Sequence, residues 1–268
     1  MIKFFRQIRQ NLIMENKTGK YIKYAIGEIV LVVIGILIAL QINNWNENRK
    51  DRITENIVLT NLELDIEEDI KALQIHIKSQ EIWIEDCVAI LKHLENEKGF
   101  IGQDTLFKQI NDLLIRSTSG QSKTTYETLK STGKIDLIRN EALKKKIVLH
   151  YNILQDFSDN TINNNTNLVD LLINPVLMDY TVFQSHDFTN QLKAWWPITS
   201  TIKYQMQTTG RLQAIIEDTL SNDQSQLKLL NIVNLRLLLA TIQKELALDI
   251  VQKSEQLLKA VKIELNEF

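Results

Sequence analysis

Four histidines, one cysteine, a carboxylate run and a lone acid beside an apolar segment are the residues whose types invite chemistry. His76, His93, His150 and His186 are scattered, without H-E-x-x-H or another ligand spacing, so no metal centre is expected. Cys87 stands next to Val88 on an apolar helical stripe, which favours a buried inert thiol over a nucleophile. A lone cysteine also excludes an intramolecular disulfide. Glu67, Glu68 and Asp69 are adjacent, but successive helical residues point in different directions, so a solvated face is the expectation. Neither a Gly-rich phosphate loop nor a G-x-S-x-G elbow occurs, and no nucleophile–base pair is legible. The chain is therefore expected to be non-enzymatic, with no cofactor.

Glu28 is different, because a carboxylate carried into hydrocarbon is costly and usually has a reason. Three readings are open: anchoring at the cytoplasmic edge beside Lys23, pairing with a second helix, or ion and proton transfer. Its place near the edge of the segment favours the first. Gly27, Gly35 and Ala39 could form a close-approach face, since Gly35 and Ala39 make a small-xxx-small pair. A second candidate surface lies in residues 180–197, where Tyr180, Phe183, Phe188, Trp195 and Trp196 gather. Those aromatics either plug the end of a helical core or form a ligand or protein contact. At least one of Trp195 and Trp196 is expected to be structural.

The elements that must position these residues are helical. With 8 Gly and 2 Pro in 268 residues, turn punctuation is scarce, and few loops can join long helices. Residues 25–42 are apolar except for Glu28 and Gln41, and as a helix they span about 27 Å, close to a bilayer core. Tyr21 and Tyr24 precede this segment and Trp45 follows it, where amphipathic rings favour membrane interfaces. Lys3, Arg6, Arg9, Lys17, Lys20 and Lys23 precede it against Glu15 alone, although the whole chain carries a net charge of −2. That asymmetry predicts an uncleaved signal anchor in the inner membrane, with the N-terminus cytoplasmic and the rest periplasmic. The acidic remainder disfavours nucleic acid as a partner. The bilayer, and a protein partner or a second copy within it, are the expected contacts.

Three domains follow: 1–24, a basic amphipathic cytoplasmic leader; 25–42, a transmembrane helix; and 43–268, an extracytoplasmic helical-bundle domain. The fold class is all-α, one N-terminal transmembrane helix followed by an elongated antiparallel helical bundle. Its spine is two helices of about forty residues. One carries Leu59, Leu62, Ile66, Ile70, Leu73, Ile77, Ile84, Val88, Leu91 and Leu94. The other runs from Ser225 to Glu264 with Ile232, Leu235, Leu239, Ile242, Leu246, Ile250, Leu257 and Val261 as its stripe. Between them, Asp104 is expected to cap a short helix, Thr124 and Glu127 to form a capping box, and a further helix to begin after Asp136. The stretch SDNTINNNTN, residues 158–167, is expected to interrupt that helix.

The opening run MIKFFRQIRQNLIMENKTGKYIKYAIGEIVLVVIGILIALQINNWNENRK resembles the N-terminal signature of an uncharacterised bacterial single-span membrane-protein family, domain of unknown function 6090. TYETLKSTGKIDLIRNEALKKKI, residues 125–147, is similar to that family's second block. The resemblance implies one span and a helical envelope domain, and transfers no site residues. It leaves the function as an interaction, scaffold or sensor-like module, or as an accessory subunit of a transport or secretion complex with Glu28 between spans.

Overall fold

The computed structural model describes residues 18–95, 104–118, 123–183 and 210–267. All regular structure among them is helical. In chain order the helices are α1 (Thr18–Glu95), α2 (Asp104–Leu113), α3 (Thr124–Ser131), a 3-10 turn (Lys134–Leu137), α4 (Glu141–Asn164), a π-helix (Asn165–Ile173), α5 (Asn174–Met178), α6 (Gly210–Ser221) and α7 (Asp223–Leu265). The chain divides into two compact units, Met1–Ile57 and Val58–Phe268.

In the first unit, α1 carries an apolar window long enough to cross a membrane, and none of that window is buried within the fold. Ile29, Leu31 and Ile42 are each more than 60% exposed, as side chains are that have no protein to pack against. Near the unit's end, Arg52 bonds Glu55 one turn on, at 3.0 Å.

The second unit holds two hydrophobic clusters. In one, Leu59, Leu62, Ile66, Ile70, Leu73 and Ile77 of α1 meet Leu143, Ile147, Leu154 and Phe157 of α4 and Ala247, Ile250, Leu257 and Val261 of α7. In the other, Trp83, Cys87 and Ile90 of α1 meet Leu106, Ile110 and Leu113 of α2, Val169 and Ile173 of the π-helix, and Val233, Leu239 and Ala240 of α7. Each fully buried aliphatic side chain contributes about 1.5–3 kcal/mol, so these two clusters dominate the stability of the unit. Lys262 bonds Glu63 and Glu67, and Lys244 bonds Glu81, joining α7 to α1 at 3.4, 2.8 and 3.1 Å. Exposed pairs of this kind are screened by water and add little to stability.

Several expectations are corrected. The buried seam of α7 is Arg236, Ala240, Gln243, Ala247, Ile250, Ser254, Leu257 and Val261, alternating steps of four and three. Ile242 and Leu246, expected inside, are 46% and 45% exposed. The small Ala240, Ala247 and Ser254 recur every seven residues along this seam, each fully buried. The Asn-rich stretch does not break the chain but passes from α4 into the π-helix. Thr124 is the first residue of α3 and makes no cap, so the expected capping box does not form. α4 begins not at Asp136 but after Asn140, whose side chain accepts from Leu143 N. Gly133, with φ of +68°, lets the chain turn between them in a conformation that costs other residues about 1–2 kcal/mol.

Candidate functional site

The two clusters are separated by a buried polar layer in which His76 and Gln80 of α1, Thr161 and Asn165 of the α4–π junction, and Arg236 and Gln243 of α7 are each less than 10% exposed. Every one sits at a seam position of its helix, which is why the layer crosses the core instead of lying at its rim. Part of its purpose is structural. After α2 the chain leaves helical geometry at residues 114–117, and its buried carbonyls need donors. Asn174 Nδ2 donates to Leu114 O at 3.2 Å, Arg236 Nη2 to Ile115 O at 2.7 Å, and Asn165 Nδ2 to Ser117 O at 3.0 Å. The wide turns of the π-helix, rare elsewhere and frequent at functional sites, bring Asn165, Val169 and Ile173 to the same inner face.

His76 is the hub. Gln80 Nε2 stands 3.2 Å from its Nε2 and Ser117 Oγ 2.8 Å from its Nδ1. With the Gln80 amide donating, the ring proton rests on Nδ1 and points at Ser117. The ring meets Phe157 edge-on at 5.5 Å, so one side is apolar. Burial, and secondarily the Arg236 charge, hold His76 down at about 4, although a bond to Gln243 opposes them. Thr161 Oγ1 donates to the Phe157 carbonyl at 2.8 Å and lies 2.9 Å from Gln243 Oε1.

Arg236 is the least expected member, 3% exposed in the middle of a helical core. Its guanidinium carbon sits 4.2 Å from the centroid of the Trp83 ring. That contact supplies about 2 kcal/mol when desolvated, whereas burying an ion costs several kcal/mol without a partner of opposite charge. Among the described residues its one hydrogen bond runs to the Ile115 carbonyl, and Nε finds no partner. A cavity of about 10 Å³, bordered by Arg236, His76, Gln80, Ser117, Asn165 and Gln243, opens beside it. That is the room one water-sized occupant needs. No carboxylate borders it among the described residues.

Ser117 and His76 are the hydroxyl–imidazole pair that sequence reasoning missed, because 41 residues separate them. Their distance suits nucleophilic catalysis, but the chemistry is not supported by its surroundings. The imidazole is a weak base, its other nitrogen faces an amide rather than a carboxylate, and the space admits no organic substrate. Elsewhere, burial raises the Cys87 thiol to about 12, as an inert core thiol requires. Burial and then Asp112 push Asp86 up to about 7, with Asp86 Oδ2 unpartnered among the described residues. His150, held at about 4 by burial, borders an apolar groove of about 280 Å³ between α4 and α7. No group of three or more His, Cys, Asp or Glu fit to hold a metal occurs among the described residues.

The candidates read from sequence fare unequally. Glu28 is half-buried in the first unit, and a Cβ added at Gly27 or Gly35 would meet nothing within 4 Å. Ala39 is exposed. Tyr180 is core, 2% exposed and packed in the second cluster, while Phe183 is 41% exposed. The aromatic segment therefore begins as packing. Phe188, Trp195 and Trp196 lie outside the described residues, as does His186. Of the described contact candidates, neither Tyr180 nor Phe183 borders the cavity of the polar layer, whereas His76, one of the four scattered histidines, does.

No curated protein and no solved structure matches this chain. A family model does match, over residues 28–192, which is more than half of the chain and takes in most of the apolar segment, His76, Ser117 and the π-helix: the protein belongs to the DUF6090 family, a family of unknown function.

Proposed function

We propose that this chain is a single-pass inner-membrane protein whose N-terminus is cytoplasmic and whose helical body, an antiparallel bundle in the periplasm, is a non-enzymatic interaction or sensor-like module. The observation that carries the reading is the apolar window of α1, none of which the rest of the chain covers. A bilayer is the solvent that leaves such a helix without cost. The basic leader sets the orientation. Antiparallel packing is supported by the order of the cross-links: Glu63 and Glu67 pair with Lys262 while Glu81 pairs with Lys244, and Asn140 bonds Glu264 while Thr161 meets Gln243. The sensor-like character rests on the polar layer, which lies between the two hydrophobic clusters and holds a buried donor, Arg236 Nε, without an acceptor among the described residues.

The test is topological. An alkaline phosphatase fused after Phe268 is expected to be active, and a fluorescent protein that matures only in the cytoplasm is expected to stay dark there. The reverse pattern overturns the orientation and with it the extracytoplasmic module. A second reading, an accessory subunit of a larger membrane complex, is favoured by the open faces at Gly27 and Gly35. Purification in mild detergent separates the two: a stoichiometric partner supports the subunit, and self-association alone supports the module.

A further inference from the structure

We propose that the cavity beside Arg236 binds a single halide-sized anion, chloride in the cell, as the counter-charge to the buried guanidinium. This names the ligand of the polar layer and so deepens the sensor-like reading, on which only its signalling sense rests. Four observations converge. Arg236 is 3% exposed, and guanidinium does not lose its proton in water, so a full positive charge lies in the core. Among the described residues its one hydrogen bond goes to a neutral carbonyl, and Nε has no acceptor. The adjoining cavity of about 10 Å³ is bordered by side chains that donate, among them Ser117, Gln80 and Asn165, and by no carboxylate among the described residues. Finally, the bonds these neutral groups already make, Gln80 and Ser117 with His76 and Asn165 with the Ser117 carbonyl, leave each a further proton to donate and supply no negative charge to the guanidinium.

A water molecule would fill the same volume but leave the charge uncompensated, whereas an anion of one charge removes the mismatch. Larger oxyanions are excluded by size. Anion occupancy would brace the junction between the two hydrophobic clusters, because the residues around it come from α1, the segment after α2, the π-helix and α7.

The experiment follows the melting of the full chain, purified in mild detergent, as chloride replaces gluconate at constant ionic strength. Chloride and bromide are expected to raise the Tm by about 3–6 °C at tenfold excess over the dissociation constant, with gluconate inert. Gln243→Glu, which keeps the side-chain length, introduces a built-in counter-charge. It is expected to remove the chloride dependence while melting in gluconate at or above the parent. Arg236→Met, which keeps an apolar stem on Trp83, is expected to remove the dependence as well. A parent Tm insensitive to the identity of the anion overturns the proposal in favour of water alone. Dependence that persists in whichever of the two variants folds also overturns it, since the anion then binds elsewhere. Either failure leaves the topology result, and so the anchored module, standing.

Discussion

His76→Gln should change how the protein's stability depends on pH, and the burial of the ring sets the sign. His76 and His150 are each held at about 4 against an ordinary 6.5, mainly by burial. The unfolded chain therefore binds protons that the native state refuses, and stability is complete above pH 6.5 and lost as pH falls toward 4. Between pH 7 and pH 5 each ring removes about 2 kcal/mol, at about 1.4 kcal/mol per unit. Asp86 acts in the opposite direction. Its carboxyl is raised from 3.8 to about 7, so the native state takes up a proton first and gains stability over the same window. Because that carboxyl is partly open to water, its gain is about 1 kcal/mol after screening. The parent should then lose about 3 kcal/mol on going from pH 7 to pH 5, and His76→Gln about 1. Asp86→Asn should lose about 4. Urea titrations of the full chain in detergent at both pH values measure each difference directly. Parallel pH profiles for the parent and His76→Gln would refute the claim that this imidazole is buried in its neutral form.

Three further outcomes are expected. Asn140→Ala removes both the cap to Leu143 N and the bond to Glu264, and should cost about 2 kcal/mol, against about 1 for the exposed cap in Asn222→Ala, by equilibrium unfolding. Tyr180→Ala should cost about 3–5 kcal/mol as a core truncation and Phe183→Ala about 1 or less, so equal effects on Tm would show that the aromatic segment is not packed as described. Glu28→Gln should leave membrane abundance and crosslinking unchanged if the carboxylate only anchors, and weaken a crosslinked oligomer if it pairs between spans.

Much of the fold was legible in the sequence because the relevant physics is local. The apolar window, its length and its basic flank are properties of consecutive residues, and so is the period of Leu59 to Ile77. What misled was reading a stripe from large apolar residues alone. On α7 the inner face is written partly in Ala, Ser, Gln and Arg, and steps of four and three reveal it only once the partner helices are in place. The Asn-rich run failed for a related reason. Asn disfavours helices when its side chain competes with the backbone, but Asn165 of that run donates its amide to the carbonyl of Ser117 in a distant segment.

The helical character of this chain and its one apolar window long enough for a bilayer follow from residue type and spacing along a few turns. The place of the polar layer follows instead from how distant helices pack. Nothing links His76, Ser117, Asn165 and Arg236 in the chain, with 41 residues between the first two and 121 between Ile115 and Arg236. Whether a charged side chain is a solvated ornament or a buried cation in need of a counter-charge depends on what packs around it. For Arg236, α1, the segment after α2 and the π-helix settle that together.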